Sequence, residues 1–310
     1  MNTLLLLAAH ALVVLLAPIV MVGVVNRTRS WWAGRRGPKL TQSLWDLLRL
    51  CGKRPVFSTV TTPLFRAGAW VALATALLAA LIAPIFGAFA PLQFEHDFIV
   101  FAYALGLGRL FLMLSALDTG SSFEGMGTAR EASFTAFIEP ALFLLLGTAA
   151  MASGHGSMAG AVGGLHRSAA FAWLVVPSVL VLFVLLQAEA ARVPIDDPAT
   201  HLELTMVHEV MVLDHSGPDL AALQYTAAVK LATYAELIAA LLNPFDPIRD
   251  PLPGIGVSLA LMAAVAVAVG CVESWVARLR MRLVPRYLLL ATALAALCLG
   301  GAGLIMGTGS

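Results

Sequence analysis

The chain has 310 residues, of which 60% are hydrophobic and 12% are charged, and its mean hydropathy is +0.88. Soluble domains carry about 25% charged residues, so this composition excludes an ordinary soluble protein and predicts an integral membrane protein. The formal net charge of +1 is uninformative, because the side of the membrane on which each charge lies matters more than the sum. Cys51, Cys271 and Cys298 are too far apart for a metal-ligand motif, so we expect this chain to bind no iron-sulfur cluster and no metal.

Apolar runs of about 20 residues, the length that crosses a bilayer, predict an all-α membrane protein with eight transmembrane helices. We expect one polytopic membrane domain over residues 1–310. No Lys or Arg precedes the first run and eight follow it between Arg27 and Arg54, which favours a retained helix over a signal peptide. In chain order, the predicted spans are Thr3 to Val25, Pro63 to Ala90, Phe98 to Leu117, Phe134 to Ala152, Ser168 to Ala188, Ala221 to Leu242, Ile255 to Glu273 and Tyr287 to Met306.

The distribution of Lys and Arg predicts the orientation of these spans. Residues 91–97 contain no cation, and Arg167 and Arg249 stand alone in the other two loops on that side. The opposite loops contain most of the Lys and Arg residues, so the positive-inside rule places them in the cytoplasm and both termini outside. These predicted cytoplasmic loops are residues 26–62, 118–133, 189–218 and 274–286. The Gly-rich segment 156–164 is interpreted as a flexible outer loop.

Five ionisable residues fall within or at the ends of the predicted spans, where a charge is costly and indicates a functional site. One interpretation is a set of ion pairs that fix helix packing; for the whole set, a path of titratable groups is favoured. Lys230 and Glu236 lie about 120° apart on one helix, so each is expected to find a partner on another helix. The five residues are Arg109, Glu139, Glu189, Lys230 and Glu236.

The segment "EAARVPIDDPATHLELTMVHEV", residues 189–210, follows the fifth span. Glu189 and Arg192 have the i,i+3 spacing of an ion pair, and Pro194 is expected to end the helix. Asp197 is a predicted N-cap for a second, amphipathic helix that continues to about His215. Its apolar stripe would be Leu202, Met206, Val210 and Leu213, with Glu203 and Glu209 at the edges.

Histidines recur every seven residues in this predicted amphipathic helix, at His201, His208 and His215, and would line one face. A protein-contact face is favoured over a metal site, since "HEVMV" departs from the zinc motif HExxH at Val212. The first basic loop, "NRTRSWWAGRRGPKLTQSLWDLLRLCGKRP", combines cations with Trp residues, as lipid anchors do. It also contains a turn followed by an amphipathic helix, which favours docking of a soluble partner.

Three motifs are specific enough to suggest a family: "RRGP", "LDTGSSFEGMGTAREASFTAFIEP" and "EAARVPIDDPATHLELTMVHEVMVLDHSGPDLA". They resemble the membrane-anchor subunit of group 4 nickel-iron hydrogenases, of the formate hydrogenlyase and hydrogenase-4 types. That subunit is similar to the eight-helix quinone-site subunit of respiratory complex I. The resemblance spans nearly the whole chain and implies a complex I subunit 1-like fold in the cytoplasmic (inner) membrane of a bacterium or archaeon.

The resemblance implies a non-catalytic subunit of an oxidoreductase complex, without a cofactor of its own and without nucleic acid. Its expected partners are the lipid bilayer, the hydrogenase large subunit, the iron-sulfur small subunit, ferredoxin-like iron-sulfur proteins and antiporter-like membrane subunits. The nickel-iron centre and iron-sulfur clusters would lie in these partners. The implied docking residues are Arg35, Arg36, Gly37, Pro38, Arg130, Glu131, Asp197, His201 and His208.

The resemblance also implies a relay that links redox events to the movement of protons or sodium ions in the antiporter-like neighbours. The relay residues would be Arg109, Glu139, Glu189, Arg192, Asp196, Glu203, Glu209, Lys230 and Glu236. Glu189, Arg192, Pro194 and Asp196 match the complex I pattern E-x-x-R-x-P-F-D, but Ile195 replaces its Phe, which disfavours quinone binding. A quinone-binding complex I-type subunit and a stand-alone ion transporter remain the alternatives.

Overall fold

A computed structural model describes residues 2–168, 171–197 and 206–307 of the chain. Eight helices in these ranges are long and apolar enough to cross a membrane, which confirms the predicted all-α architecture with eight spans. They are α1 (Asn2–Trp32), α3 (Pro63–Ile82), α4 (Asp97–Asp118), α5 (Ser122–Ser153), α7 (Phe171–Glu189), α9 (Gly217–Leu242), α10 (Pro251–Trp275) and α11 (Val284–Gly307). Three shorter helices are α2 (Gln42–Cys51), α6 (Met158–Leu165) and α8 (His208–Met211).

Helix α9 forms the centre of the bundle and packs against α1, α3, α7 and α10. In the most apolar part of α9, 78% of the residues are buried, compared with 28–44% in the most apolar parts of the other seven spans. Tyr234 and Leu231 are fully enclosed. A span that is apolar on all sides and surrounded by other helices is a core helix rather than a lipid-facing one. The position of α9 brings Lys230 into the interior.

Helices α3 and α4 approach each other closely because glycines remove side chains from their contact. A Cβ on Gly108 would lie 2.3 Å from Thr75 Oγ1, and one on Gly68 would lie 2.5 Å from Ser115 Cβ. Small residues are how membrane helices achieve such contacts. The resulting tight pair holds Arg109, the neighbour of Gly108, in a fixed position.

The connections α1–α3, α4–α5, α7–α9 and α10–α11 meet at one end of the bundle, here called the basic end. Contacts between these segments define it: Thr62 Oγ1 lies 2.9 Å from Asp118 Oδ1, and the amide of Leu279 donates to the carbonyl of Pro194 at 2.9 Å. Helix α2 lies at this end, beside α9 and α1. The predicted amphipathic helix of the first basic loop is therefore confirmed.

Several predicted helix boundaries were wrong. Helix α1 continues to Trp32, and α5 begins at Ser122 rather than Phe134, so most of the predicted loop 118–133 is helical. Hydropathy identifies only the residues that can enter the hydrocarbon region of the bilayer. A helix can continue beyond that region with polar residues, so its ends are not visible in the hydropathy. Conversely, α3 ends at Ile82, because the residue before Pro84 adopts an extended conformation.

The Gly-rich outer segment is also more ordered than expected. Residues 158–165 form α6, which buries Met158 and Val162 in the main hydrophobic core. The N-terminus of α6 is capped by Ser157, and the buried Asp97 accepts a hydrogen bond from the Met158 amide at 2.7 Å. The interpretation of this segment as a flexible loop was wrong, because its apolar residues have a surface to pack on.

Candidate functional site

Five ionisable side chains meet inside the bundle, and we call them the ion cluster: Arg109, Glu131, Glu139, Glu189 and Lys230. Arg109 is its hub and is only 3% exposed. Its Nη1 lies 3.1 Å from Glu139 Oε1, its Nε lies 3.5 Å from Glu131 Oε1, and its Nη2 donates to Glu189 Oε1. One guanidinium thus contacts carboxylates from α5 and α7, as its planar set of five donors allows.

Glu189 connects the two cations of the ion cluster. Its second oxygen, Oε2, accepts a hydrogen bond from Lys230 Nζ at 3.0 Å, and its side chain is 1% exposed. Glu189 is the last residue of α7, whereas Lys230 lies in the middle of α9. The prediction that Lys230 finds its partner on another helix is therefore confirmed.

The charges of the ion cluster do not balance. With Arg109 and Lys230 against three glutamates, full ionisation leaves a net charge of −1; the Glu139 side chain is 43% exposed, whereas the other four are mostly buried. A small void of about 20 Å³ lies beside Arg109, Glu131, Glu189 and Lys230, and its wall extends to Asp196 and His208. All three carboxylates contact the single guanidinium of Arg109, so the ion cluster holds one more negative charge than its two cations neutralise.

The segment that follows α7 is buried and held by a second set of ion pairs. Arg192 does not pair with Glu189, as the sequence spacing suggested; its Nη1 instead lies 3.4 Å from Glu273 Oε1 in α10. Arg29 of α1 approaches the other oxygen of Glu273 at 3.3 Å. The predicted pair was wrong because the chain turns after Glu189, which sends the two side chains to different neighbours.

Asp196 organises the end of this segment. Its carboxylate accepts backbone hydrogen bonds from Asp197, Val207 and His208 at 2.9, 3.3 and 2.9 Å. Arg278 Nη2 lies 2.8 Å from its Oδ1. Burial raises the pKa of Asp196, although these donors and Arg278 offset part of that effect.

A larger cavity of about 460 Å³ opens at the basic end, between α1, α2, α9 and the segment after α7. Charged residues on its wall are Arg29, Asp46, Arg192 and Glu209. His208 lines both this cavity and the void around the ion cluster. Burial, followed by the nearby positive charge of Lys230, lowers the pKa of His208 to about 4, so its imidazole is neutral at pH 7.

The described part of residues 198–215 contains less helix than predicted. Pro198, His201, Leu202 and Glu203 lie outside the described residues, and from Met206 onward only His208–Met211 are helical. His215 lies beyond this helix, stacked on Phe65 at 4.0 Å between ring centroids and 3.1 Å from Ser115 Oγ. His208 and His215 therefore do not share a face, because the helix that would align them ends at Met211.

The residues predicted for docking occupy different environments. Arg35, Arg36 and Pro38 are exposed and Gly37 is partly exposed, in the connection from α1 to α2 at the basic end. Arg130 donates to the carbonyl of Met206 at 2.8 Å, and Asp197 is partly exposed beside Asp196. Glu131 and His208 face the interior, since Glu131 belongs to the ion cluster and His208 separates two cavities.

Glu236 is isolated from the ion cluster. Its side chain is 1% exposed, and among the described residues it forms no ion pair, while its Oε2 has no hydrogen-bond partner. The expectation that Glu236 pairs with another helix was therefore wrong within the described chain. Its place in the predicted relay has no support from the contacts of its side chain.

Sequence reasoning missed Glu273, the shared partner of Arg29 and Arg192, and assigned Glu131 to a different role. Glu273, like Glu139, is an acidic residue beside an apolar run. It was overlooked because it is the last residue of a predicted span. Glu131 lies among polar residues, so no hydropathy signal separates it from a loop. Among the described residues, no three His, Cys, Asp or Glu side chains come together as metal ligands.

Comparisons with known proteins agree with this architecture. The NADH dehydrogenase family matches residues 4–300. Hydrogenase-4 component C of Escherichia coli K12 is 29% identical over 300 residues, covering 93% of this chain and 92% of the relative. Formate hydrogenlyase subunit 4 of the same organism is 26% identical over 289 residues, covering 89% and 91%.

A solved structure shares the fold. A chain of the membrane-bound sulfane sulfur reductase, an archaeal respiratory membrane complex, superimposes with a TM-score of 0.81 at 20% identity, covering 96% of this chain and 99% of that chain. The two relatives are named as a hydrogenase component and a formate hydrogenlyase subunit, and the eight apolar helices make this chain a multi-pass membrane protein. By its sequence over residues 4–300 and by its eight-helix fold, the chain belongs to the NADH dehydrogenase subunit 1-like family.

Proposed function

We propose that this chain is the membrane anchor and coupling subunit of a hydrogenase-type complex. It docks a nickel-iron and iron-sulfur peripheral arm at its basic end and links electron transfer to proton translocation. The position of His208 supports this proposal most directly, because His208 lines both the 460 Å³ cavity and the void beside the ion cluster. A charge change at the basic end thus has a short path to buried carboxylates.

The proposed coupling uses the excess charge of the ion cluster. A rearrangement or added charge at the wall of the large cavity alters the field at His208 and Lys230, in a low-dielectric interior where such effects are strong. A proton taken up by the ion cluster then moves toward or away from Glu139, whose side chain is the most exposed of the three glutamates. Coupling to sodium ions would use the same change of charge.

Docking is assigned to the exposed surface of the basic end. Arg35 and Arg36 project from the connection that leads into α2, whose residues are all at least partly exposed. By the positive-inside rule this end faces the cytoplasm and both termini face outside. Electron carriers would remain in the partner subunits, which include the hydrogenase large subunit, the iron-sulfur small subunit and ferredoxin-like proteins, with antiporter-like subunits beside the chain in the membrane.

The test is purification of the tagged full chain from its native membrane in mild detergent. Co-purifying proteins are identified by mass spectrometry, and nickel and iron are measured by elemental analysis. A nickel-containing large subunit, an iron-sulfur small subunit and antiporter-like proteins are expected in constant ratio with the chain. Recovery of the chain without a nickel or iron protein would contradict the proposal.

The size of the large cavity favours a second candidate, a quinone-binding subunit of a complex I-like enzyme. Its wall does not suit a quinone ring well, since ligand sites of that kind are mostly apolar and this one contains Arg29, Asp46, Arg192 and Glu209. Extraction of the purified complex with organic solvent distinguishes the two. Stoichiometric quinone with partners that lack nickel would establish the second candidate.

A further inference from the structure

Three exposed tryptophans meet where α1 and α10 end at the basic end of the bundle, and we call them the tryptophan cluster: Trp31, Trp32 and Trp275. Their side chains are 72%, 43% and 65% exposed. The Trp32 ring meets Trp31 and Trp275 edge to face, with ring centroids 5.2 and 4.7 Å apart, and its N–H donates to Cys271 Sγ at 3.3 Å. Because such ring contacts are favourable, the three indoles form one ordered surface.

The two helices that carry the tryptophan cluster are held close together. A Cβ on Gly270 of α10 would lie 2.7 Å from Thr28 Cβ of α1, the kind of close approach that small residues allow between membrane helices. Arg27 precedes Trp31 by four residues, so the two lie on the same face of α1. Arg27 is exposed and forms no ion pair among the described residues. The ends of α1 and α10 thus present cations beside fixed aromatic rings.

This edge of the molecule has an excess of positive charge. The sequence of α1 contains no acid, and that of α10 contains one, Glu273, which Arg29 and Arg192 already bind. Residues 279–286, which follow α10, contain three Arg and no acid. Of these, Arg280 is exposed and, in the described part of the chain, makes no ion pair. A negatively charged ligand is therefore favoured here.

The depth of the tryptophan cluster matches the level of lipid headgroups. Trp31 lies six residues beyond Val25, where the apolar run of α1 ends, which is about 9 Å along the helix axis. Trp275 lies two residues beyond the apolar run of α10. Indole rings are enriched at this level, and nearby Arg side chains attract anionic lipids. An acidic soluble protein would match the charge but not the exposed apolar rings beside the hydrocarbon region.

We infer that the α1–α10 edge at the basic end is a binding site for an anionic phospholipid. Its phosphate pairs with the exposed arginines beside the tryptophan cluster, Arg27 and Arg280, because a guanidinium binds phosphate oxygens through several donors. Its glycerol and upper acyl chains rest on the three indoles. The site goes beyond the proposed function, and neither one depends on the other.

Native mass spectrometry of the tagged chain, with every subunit that co-purifies, tests this inference. The protein is delipidated in mild detergent and then given equal amounts of phosphatidylglycerol and phosphatidylcholine. We expect the wild-type chain to retain several-fold more phosphatidylglycerol than phosphatidylcholine. Arg27→Gln/Arg280→Gln should lose this preference, and Trp31→Ala/Trp275→Ala should retain several-fold less of both lipids.

Trp173→Ala and Arg249→Gln are the matched controls, because both change exposed residues at the opposite end of the bundle and should retain lipid like wild type. Melting temperatures close to wild type establish that a variant is folded. If a double variant does not fold, the single variant Arg27→Gln decides, with an expected partial loss of the preference.

Equal retention of both lipids by the wild-type chain would overturn the inference, as would an unchanged preference in the folded arginine variants or the same loss in the controls. Displacement of the lipid by millimolar glycerol 3-phosphate would also overturn it, since a site for free phosphate does not need the indoles. A benzophenone amino acid at position 275 should crosslink to lipid, and a protein adduct instead would assign this edge to a partner. Nickel and iron are measured in the same preparation, so the proposed function is scored separately.

Discussion

Lys230 Nζ lies 3.0 Å from Glu189 Oε2, and this contact joins the middle of α9 to the last residue of α7. The pair is nearly enclosed, with side-chain exposures of 13% and 1%, and Arg109 holds the other oxygen of Glu189. Buried ions of this kind are costly to desolvate and need complete pairing. The contact therefore connects the stability of the bundle to the charge state of the ion cluster.

Lys230→Met should destabilise the protein strongly, by about 3–5 kcal/mol, because it leaves a buried carboxylate with one cation instead of two. The double variant Lys230→Met/Glu189→Gln should be less destabilised than the sum of the single variants, since it removes both charges of the pair. Thermal unfolding of the purified protein in detergent measures both effects. Additive losses in the double variant would contradict the pairing.

Glu273→Gln should loosen the segment after α7, since Arg29 and Arg192 lose the carboxylate that they share. We expect trypsin to cleave the Arg192–Val193 bond several-fold faster in the variant, because Arg192 is buried in the wild-type protein. Cleavage between the exposed Lys53 and Arg54 provides the internal reference. The control Glu95→Gln alters an exposed acid and should cleave like wild type; equal cleavage of Glu273→Gln would refute this prediction.

Stability should fall as the pH decreases from about 6.5 to about 4. Burial lowers the pKa of His215 to about 4 in the folded protein, whereas an unfolded histidine titrates near 6.5, so the unfolded state binds more protons across this window. Full stability is present above pH 6.5, and the loss contributed by His215 is on the order of 3 kcal/mol. His208 acts in the same direction, since burial also lowers its pKa to about 4.

His215→Phe tests the contribution of this histidine, because Phe retains the stacking on Phe65 and does not titrate. Its melting temperature should depend less on pH between 7.5 and 5 than that of the wild-type protein. The control His155→Phe changes an exposed histidine and should retain the wild-type dependence. An unchanged slope in His215→Phe would show that His215 is not the titrating group.

Gly23→Ala should impair docking at the basic end. A Cβ at this position of α1 would lie 2.3 Å from the carbonyl oxygen of Leu40, so the backbone between Arg36 and α2 must move. We expect the chain to insert normally but to retain several-fold less of its peripheral partners on purification. Gly256→Ala is the matched control, since its Cβ would meet no atom within 4 Å; equal recovery from both variants would exclude a docking role for this loop.

The eight spans were predictable because transfer into lipid depends on local composition, which the sequence states directly. Helix ends were less predictable, as α5 shows: residues 122–133 are too polar for a hydropathy signal yet continue the helix. The predicted span Pro63 to Ala90 extended beyond the end of α3 at Ile82, although Pro84 marks that end, because helices usually end near the residue that precedes a proline.

The ion cluster was predictable in part. Arg109, Glu139, Glu189 and Lys230 stand out as ions in or beside apolar runs, but their partners depend on which helices meet, and spacing along the chain does not contain that information. The i,i+3 spacing therefore predicted a pair between Glu189 and Arg192. In the folded protein, Glu189 instead pairs with Arg109 and Lys230, which lie on other helices. Glu273 was missed because it stands at the edge of its run, where an acid is inexpensive.

The ion cluster is proposed to couple redox turnover to proton movement. The most direct measurement is proton uptake by inverted membrane vesicles during turnover of the assembled complex, comparing wild type, Glu139→Gln and the exposed-acid control Glu95→Gln. We expect Glu139→Gln to assemble and to turn over while translocating several-fold fewer protons per turnover, with the control unchanged. Wild-type proton translocation in an assembled Glu139→Gln complex would contradict the account.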